Sequence, residues 1–199
     1  MILRELLAQT GWLERTAAFG RALRTAVCPA VCSTGRSPGG LLLVGTPDDE
    51  PWHLAAHLDE ESCLSGVPEL APILVRWVPP ADAPPHLRVG LERLEAARRG
   101  ETLFVVSPET APVPLLERVS DARKTGATIL ALGQGDRELE AMAHEALTVR
   151  REDGLISFDA AQHLVSSAAG MRGSPAGPAR RGLRNRIARL LDAVSGPSA

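Results

Sequence analysis

The side chains best suited to chemistry lie in polar turns that directly follow short apolar runs. The clearest case is the segment from Ser107 to Pro112, which carries Glu109 and Thr110 and comes after Thr102–Val106. Apolar runs bounded by turn residues predict strands that are buried on both faces, as in a parallel sheet. Such sheets bind ligands outside the carboxyl ends of their strands. We therefore predict that this turn belongs to a ligand-binding site.

Two further turns of the same kind extend the candidate site. One follows the apolar run Leu41–Val44. The other follows Thr128–Leu132, where a glycine would let the backbone approach a ligand or would only provide a flexible connection. The candidate ligand-binding residues in these two turns are Gly45, Thr46, Asp48, Asp49, Gly133 and Gln134.

The carboxylates Asp48, Asp49 and Glu109 leave three interpretations open. They are solvated turn residues, with one of the aspartates capping the helix that begins near Pro51. They bind a cationic or hydroxylated ligand, such as an amine or a neutral sugar. Alternatively, their oxygens hold Mg²⁺ or Ca²⁺, although the spacing forms no recognised metal motif. The sequence therefore assigns no metal ion and no cofactor.

The histidines and cysteines give weaker signals. His53 and His57 are four residues apart on a predicted helix, but the sequence shows no third zinc ligand for them. Cys28 and Cys32 lack the two-residue spacing of a metal or redox pair. His163 lies on a later helix, where it is either an ordinary helix histidine or a group for acid–base catalysis near neutral pH.

An alternation of helices and strands positions these turns. The pattern predicts strands at Leu41–Val44, Ile73–Val78, Thr102–Val106 and Thr128–Leu132, with a short fifth strand at Leu147–Val149. It predicts helices at Ile2–Val27, Pro51–Leu64, Leu87–Arg99, Pro114 to Lys124, Arg137–Ala146, Ala160–Ala169 (capped by Asp159) and Pro178–Val194. Strand–helix–strand units require parallel strands and right-handed crossovers. The predicted fold is therefore α/β, a doubly wound three-layer sandwich with a four- to five-stranded, mostly parallel sheet.

The chain divides into four segments by composition. Residues 1–40 form an N-terminal helix and loop packing on the domain, 41–169 the α/β core, 170–177 a linker, and 178–199 a basic amphipathic helix and tail. The basic residues of this last segment are Arg180, Arg181, Arg184, Arg186 and Arg189. Such a helix packs on the core or on a second subunit, docks on an acidic membrane surface or nucleic acid, or stays disordered until a partner arrives.

The overall composition is that of an ordinary soluble domain. Of 199 residues, 44% are hydrophobic and 23% charged, and the net charge of −2 argues against bulk attraction to nucleic acid. No run reaches the roughly 18–20 apolar residues of a membrane helix, and the N-terminus is not a signal peptide. An odd number of cysteines, three, fits a reducing compartment. We predict a cytoplasmic protein, and its Ala-, Arg-, Gly- and Pro-rich composition is typical of a GC-rich bacterial genome.

The order of these elements resembles the sugar isomerase (SIS) domain family over roughly residues 13–169. The segment LLERVSDARKTGA, residues 115–127, is similar to the family helix L-x-x-A-x-x-A-K-x-x-G-A. Gly100-Glu101 stands at the Gly-Asp step that precedes the family's strand and its Ser-x-Ser-Gly-x-Thr loop. The resemblance implies a phosphosugar site at that loop and a homodimer formed through helices.

The loop departs from the family pattern where the family holds phosphate. Ser107 is kept, but Glu109 stands for the second Ser, Thr110 for the Gly and Pro112 for the Thr. In the first turn, residues 45–49 read GTPDD in place of Gly-x-Gly-x-Ser. Carboxylates beside a bound dianion would repel it by several kcal/mol, which weakens phosphate binding by orders of magnitude.

We therefore predict a diverged SIS-like binding or interaction module without isomerase activity, a homodimer that takes a small sugar-like or other polar ligand. One alternative is a phosphosugar isomerase, in which Ser107 and Thr110 hold phosphate and Glu109 or His163 moves the proton, as the resemblance implies. The other is a scaffold that recruits a partner through its Arg-rich C-terminal helix.

Overall fold

In the computed structural model, five parallel strands form one sheet between two layers of helices. The structure describes residues 11–28, 40–84, 87–150 and 156–171. The strands are β1 (Leu41–Val44), β2 (Pro72–Val75), β3 (Thr102–Ser107), β4 (Thr128–Gly133) and β5 (Glu145–Thr148). The helices are α1 (Trp12–Val27), α2 (Trp52–Ser65), α3 (Glu92–Glu95), α4 (Val113–Lys124), α5 (Arg137–Met142) and α6 (Phe158–Gly170), with a 3₁₀ turn at Pro68–Leu70.

The strand order is β2-β1-β3-β4-β5, and every neighbouring pair is parallel. Leu41 of β1 lies opposite Pro72 on one side and Thr102 on the other. The chain winds outward in one direction from β1 to β2 and in the other direction from β3 to β5. The winding therefore reverses between β1 and β3, the place where open α/β sheets form a ligand crevice.

Both faces of the sheet are covered, which explains why its strands are continuous apolar runs. Leu41 and Leu43 of β1 join a core that includes buried residues of α1, α2 and α6. Leu42 and Val44 point to the opposite core, which includes buried residues of α3, α4 and α5. This alternation confirms the predicted doubly wound α/β sandwich.

Two predicted elements, the helix Leu87–Arg99 and the strand Ile73–Val78, have wrong boundaries for a local reason. The predicted helix Leu87–Arg99 is helical only over α3, because the segment before it runs beside the end of β2. There the Arg76 N–H donates to the Val89 carbonyl oxygen at 2.8 Å, and Arg76 forms a parallel bridge with Gly90. Strand β2 itself ends before Val78 for the same reason.

Strand β5 and helix α6 also begin earlier than predicted. Helix α5 ends at Met142 and not at Ala146, because β5 already starts at Glu145 and pairs with β4. Helix α6 is capped by Ser157, whose hydroxyl oxygen accepts the Ala160 N–H at 3.1 Å, and not by Asp159. Asp159 lies instead in the first turn of α6, where a negative charge is favourable.

The ends of the chain lie outside the described residues. The predicted N-terminal helix is described only from Gly11, a left-handed residue with φ of 69° at the start of α1. Gly170 closes α6, and the predicted linker beyond Met171 and the Arg-rich C-terminal helix fall outside the described ranges. Within those ranges, no helix combines the length and apolarity needed to span a bilayer.

Candidate functional site

The predicted ligand-binding residues all follow β1, β3 or β4, which are neighbours in the sheet. Because the strands are parallel, their carboxyl ends share one edge, which we call the carboxyl edge. Gly45 follows β1, while Ser107 and Gly133 are opposite one another as the last residues of β3 and β4. The three predicted turns therefore lie side by side, and two of them flank the reversal of winding.

The turn after β1 is closed by its own backbone. The Thr46 N–H donates to the Asp49 carbonyl oxygen at 3.1 Å, and the Asp49 N–H donates back to Thr46 at 3.3 Å. A Cβ at Gly45 would collide with the Asp49 carbonyl and the Pro51 ring, so only glycine fits there. The Trp77 indole N–H donates to the Gly45 carbonyl oxygen at 2.9 Å. These bonds satisfy backbone groups of the turn within the protein.

Glu50, which sequence analysis did not single out, ties this turn to β2. Its carboxylate accepts hydrogen bonds from the Arg76 guanidinium at 2.9 and 3.0 Å and from the Trp77 N–H at 3.1 Å. It also accepts from the Trp52 indole at 3.1 Å, and the Arg76 guanidinium lies 4.6 Å from the centre of the Trp52 ring. Glu50 is thus a structural anchor of the first turn.

The turn after β3, the central loop, also uses its polar groups internally. The buried Ser107 hydroxyl donates to the Glu109 carbonyl oxygen at 2.6 Å. The Ala111 N–H donates to the Asp136 carboxylate at 2.8 Å. Pro112, like the next proline at position 114, has no N–H to donate. Asp136 was not predicted as a site residue, because the partner of its side chain lies on another loop.

The predicted carboxylates differ in their surroundings. Asp48, Glu109 and the neighbouring Thr110 are exposed, whereas Asp49 is half-buried. Burial raises the pKa of Asp49, and the negative charge of Asp159 raises it further. Asp159 belongs to the first turn of α6, so the start of α6 lies near the turn after β1.

Near the start of α6, the side chains of three histidines lie close together. His53 and His57 of α2 stack with their ring centres 5.0 Å apart. The ring of His163 on α6 lies 4.2 Å from His57 and 5.0 Å from His53. One imidazole nitrogen from each of the three lies within 4.8 Å of the other two. We call this group the histidine cluster.

The histidine cluster lines a shallow cavity and leaves polar atoms unsatisfied. The residues around this cavity are His53, Leu54, His57, Asp159, Gln162 and His163. His57 Nε2 and Gln162 Oε1 are buried and have no hydrogen-bond partner among the described residues. His57 Nδ1 lies 3.7 Å from a carboxylate oxygen of Glu60, and the Gln162 amide donates to Asp159 at 3.3 Å.

The electrostatics of the cluster favour a neutral imidazole at His163. Burial lowers the pKa of His163, and the neighbouring His57 and His53 lower it further, while Asp159 acts in the opposite direction. A neutral imidazole has a free lone pair on one nitrogen, which can accept a proton or bind a metal ion.

Each histidine of this cluster can be identified in the sequence, but their proximity in the fold cannot. Spacing in the sequence pairs His53 with His57 and suggests His163 only separately, as a proton-transfer group. What joins them is the packing of α2 against α6, two helices that both begin at the carboxyl edge and cover the same face of the sheet. No local pattern reports which surface of α6 meets α2.

No protein-family model matches this chain, and no curated protein sequence matches it. Solved structures do share its fold. One, described as a putative sugar-binding protein from Salmonella typhimurium LT2, has a TM-score of 0.56 and 15% identity, covering 94% of this chain and 50% of its own. Another, NanR of Vibrio vulnificus in complex with ManNAc-6P, has a TM-score of 0.50 and 12% identity, covering 98% of this chain and 70% of its own. The chain thus spans half the length of the Salmonella protein. The likeness shows that these proteins share this α/β fold.

Proposed function

We propose that this chain is a binding module that takes a small, uncharged, sugar-like ligand at the carboxyl edge, without isomerase activity. The observation that carries the proposal is the central loop, whose Ser107 hydroxyl and Ala111 N–H already donate to groups within the protein. In the resemblance to SIS domains, Ser107 stands at the first serine of the phosphate loop and Pro112 at its threonine, and the Ala111 N–H lies between them. Here they donate within the protein or have no hydrogen to donate.

Charge at the same edge opposes a phosphate as well. Asp48 and Asp49 follow β1, Glu109 follows β3 and Asp136 follows β4, so carboxylates occur in all three turns. At an effective dielectric of about 20, a unit charge about 5 Å from another contributes roughly 3 kcal/mol of repulsion, less where water screens it. Carboxylates instead accept hydrogen bonds from hydroxyl groups, which a neutral sugar offers in number.

The sugar class is supported by the fold and by the place of the turns. NanR was solved with ManNAc-6P, a sugar phosphate, and the Salmonella protein is described as sugar-binding. In this chain the turns after β1 and β3 flank the reversal of winding, where α/β folds hold their ligands. A ligand without the phosphate keeps the hydroxyl groups that this edge can bind.

A thermal-shift panel tests the proposal. Free hexoses and N-acetylhexosamines are compared with their 6-phosphates, all with a chelator present so that metal ions do not contribute. A ligand that binds the native state raises the melting temperature, by roughly 5–10 °C at a hundred times its dissociation constant. We expect a neutral sugar to give such a shift and its 6-phosphate to give less. A larger shift with the phosphate would overturn the proposal and favour the isomerase alternative.

A matched pair of variants places the ligand. Thr110 and Thr25 are both exposed, one in the central loop and one on α1. Thr110→Ala should reduce the sugar-induced shift, since it removes a hydroxyl from the proposed site, whereas Thr25→Ala should leave it unchanged. An equal effect of the two would place the ligand elsewhere.

The assembly and partner predictions are proposals of the same kind. A homodimer is implied by the resemblance to SIS domains, and sedimentation equilibrium of the full chain measures it directly. A partner-recruiting role for the Arg-rich segment that contains Arg184 predicts that truncation after Gly170 abolishes association while the melting temperature of the α/β core is retained.

A further inference from the structure

We propose that His53, His57 and His163 bind one divalent transition-metal ion, with Zn²⁺ as the best-suited ion. The site goes beyond the proposed sugar-binding function and does not depend on it. Imidazole nitrogen is a borderline donor that suits Zn²⁺, Cu²⁺ and Ni²⁺, whereas Mg²⁺ and Ca²⁺ prefer oxygen. The donor set therefore specifies a late first-row metal.

The positions of the three imidazoles are close to those of a zinc site. Zinc–nitrogen bonds are about 2.0–2.1 Å, so a tetrahedral ion requires its nitrogens to be about 3.3 Å apart. The three nitrogens of the histidine cluster already lie within 4.8 Å of one another. His53 is exposed, and His57 and His163 are both half-buried. Binding requires rotation of these rings that closes the separation of the three nitrogens from within 4.8 Å to about 3.3 Å.

Two buried polar atoms supply an independent reason. His57 Nε2 is shielded from solvent and has no hydrogen-bond partner among the described residues, a state that costs free energy in a folded protein. A metal ion would give this nitrogen the partner it lacks. Gln162 Oε1, equally buried and unpartnered, lines the same cavity and can accept a hydrogen bond from a water molecule on the metal.

The carboxylates near the cluster match the demands of a cation. Glu60 Oε2 lies 3.7 Å from His57 Nδ1, on the side of the ring away from Nε2, too far for a hydrogen bond but near enough to add negative charge beside the ring. Asp159 lines the cavity beside His163 and supplies negative charge. Three protein ligands with one position left to water is the arrangement of zinc sites that remain open to a further ligand.

The test uses the full chain and the metal alone. Purified protein is stripped with a chelator, titrated with Zn²⁺ by calorimetry, and titrated with Co²⁺ by visible absorption, since tetrahedral Co²⁺ gives intense bands that an adventitious surface ion does not. We expect one ion per chain and a rise in melting temperature. Changing His53, His57 or His163 singly to Asn should weaken binding at least tenfold. His144→Asn, which changes an exposed histidine outside the cluster, should leave affinity unchanged.

Each other outcome overturns the site. Zinc affinity weaker than millimolar, or a Co²⁺ spectrum of octahedral form that is the same in His53→Asn, would show that the histidines only pack together. Binding that survives all three substitutions but is lost in the double variant Cys28→Ser, Cys63→Ser would assign the ion to thiols. His53 is exposed, so its variant is expected to fold even if His57→Asn does not.

Discussion

Asp136 provides the sharpest test of how the central loop is held. One of its carboxylate oxygens accepts the N–H groups of Glu138 and Leu139, at 2.9 and 3.2 Å, and so caps α5. The other accepts the Ala111 N–H at 2.8 Å. A single side chain thus closes two loops of the carboxyl edge. Replacing Asp136 therefore tests two contributions to stability, the cap of α5 and the hydrogen bond to the central loop.

The expected destabilisation follows from these bonds. Loss of an N-cap costs about 0.5–2 kcal/mol, and leaving the N–H of Ala111 without a partner costs about 1–3 kcal/mol, since this residue is only 2% exposed. Asp136→Ala should therefore lower the free energy of unfolding by about 1.5–5 kcal/mol, or roughly 3–20 °C in melting temperature. Asp136→Asn keeps one oxygen and should lose only one of the two contributions. Chemical denaturation in urea measures both variants.

Asp121→Asn is the control, because Asp121 is an exposed carboxylate that pairs only at the surface with Lys124, at 2.9 Å. Its effect should stay within about 0.5 kcal/mol. The reasoning about Asp136 fails if Asp136→Ala is no worse than this control, or if Asp136→Asn is as destabilising as Asp136→Ala.

The Asp136→Asn variant also tests what excludes a phosphate from the proposed site. Asp136→Asn removes a negative charge from the carboxyl edge and frees the Ala111 N–H, so we expect it to bind sugar 6-phosphates more tightly than the parent chain. Unchanged phosphate binding, measured by thermal shift, would mean that another group excludes the phosphate.

The remaining predictions concern packing, anchoring and pH. A Cβ at Gly20 would lie 2.5 Å from the Ala168 Cβ and 2.7 Å from its carbonyl carbon. Gly20→Ala should therefore destabilise the protein by about 1–3 kcal/mol, although alanine has the better helix propensity. A stabilised variant in a urea titration would refute the close packing of α1 on α6. Glu50→Gln should lose the charged bonds to Arg76, at about 1–3 kcal/mol, and an unchanged melting temperature would contradict this role. Burial and the neighbouring histidines lower the pKa of His163 below 6.5, so the unfolded chain takes up its proton first. The metal-free protein should accordingly lose stability as pH falls from 6.5 through that lowered pKa, and His163→Asn should weaken this dependence, as denaturation at several pH values would show.

Much of the fold follows from local patterns. The runs Leu41–Val44, Thr102–Val106 and Thr128–Leu132 are β-rich, apolar and bounded by turn residues, so they identify buried parallel strands wherever the rest of the chain lies. The apolar spacing of the segment before Gly126, together with this terminal glycine, likewise predicts a helix. The predicted helix 87–99 failed because its helical spacing competes with a pairing to Arg76 that no local pattern shows.

The site divides in the same way. Residue types and strand ends are local properties, so the amino-acid order alone shows that acids and a proline follow three of the strands. What these groups do depends on contacts that form when the chain folds. Folding directs the Asp136 carboxylate to the loop N–H and places His163 on α6 against His53 and His57 on α2. Contacts between residues far apart in the chain depend on which helix faces meet, and that is settled by the packing of the whole core.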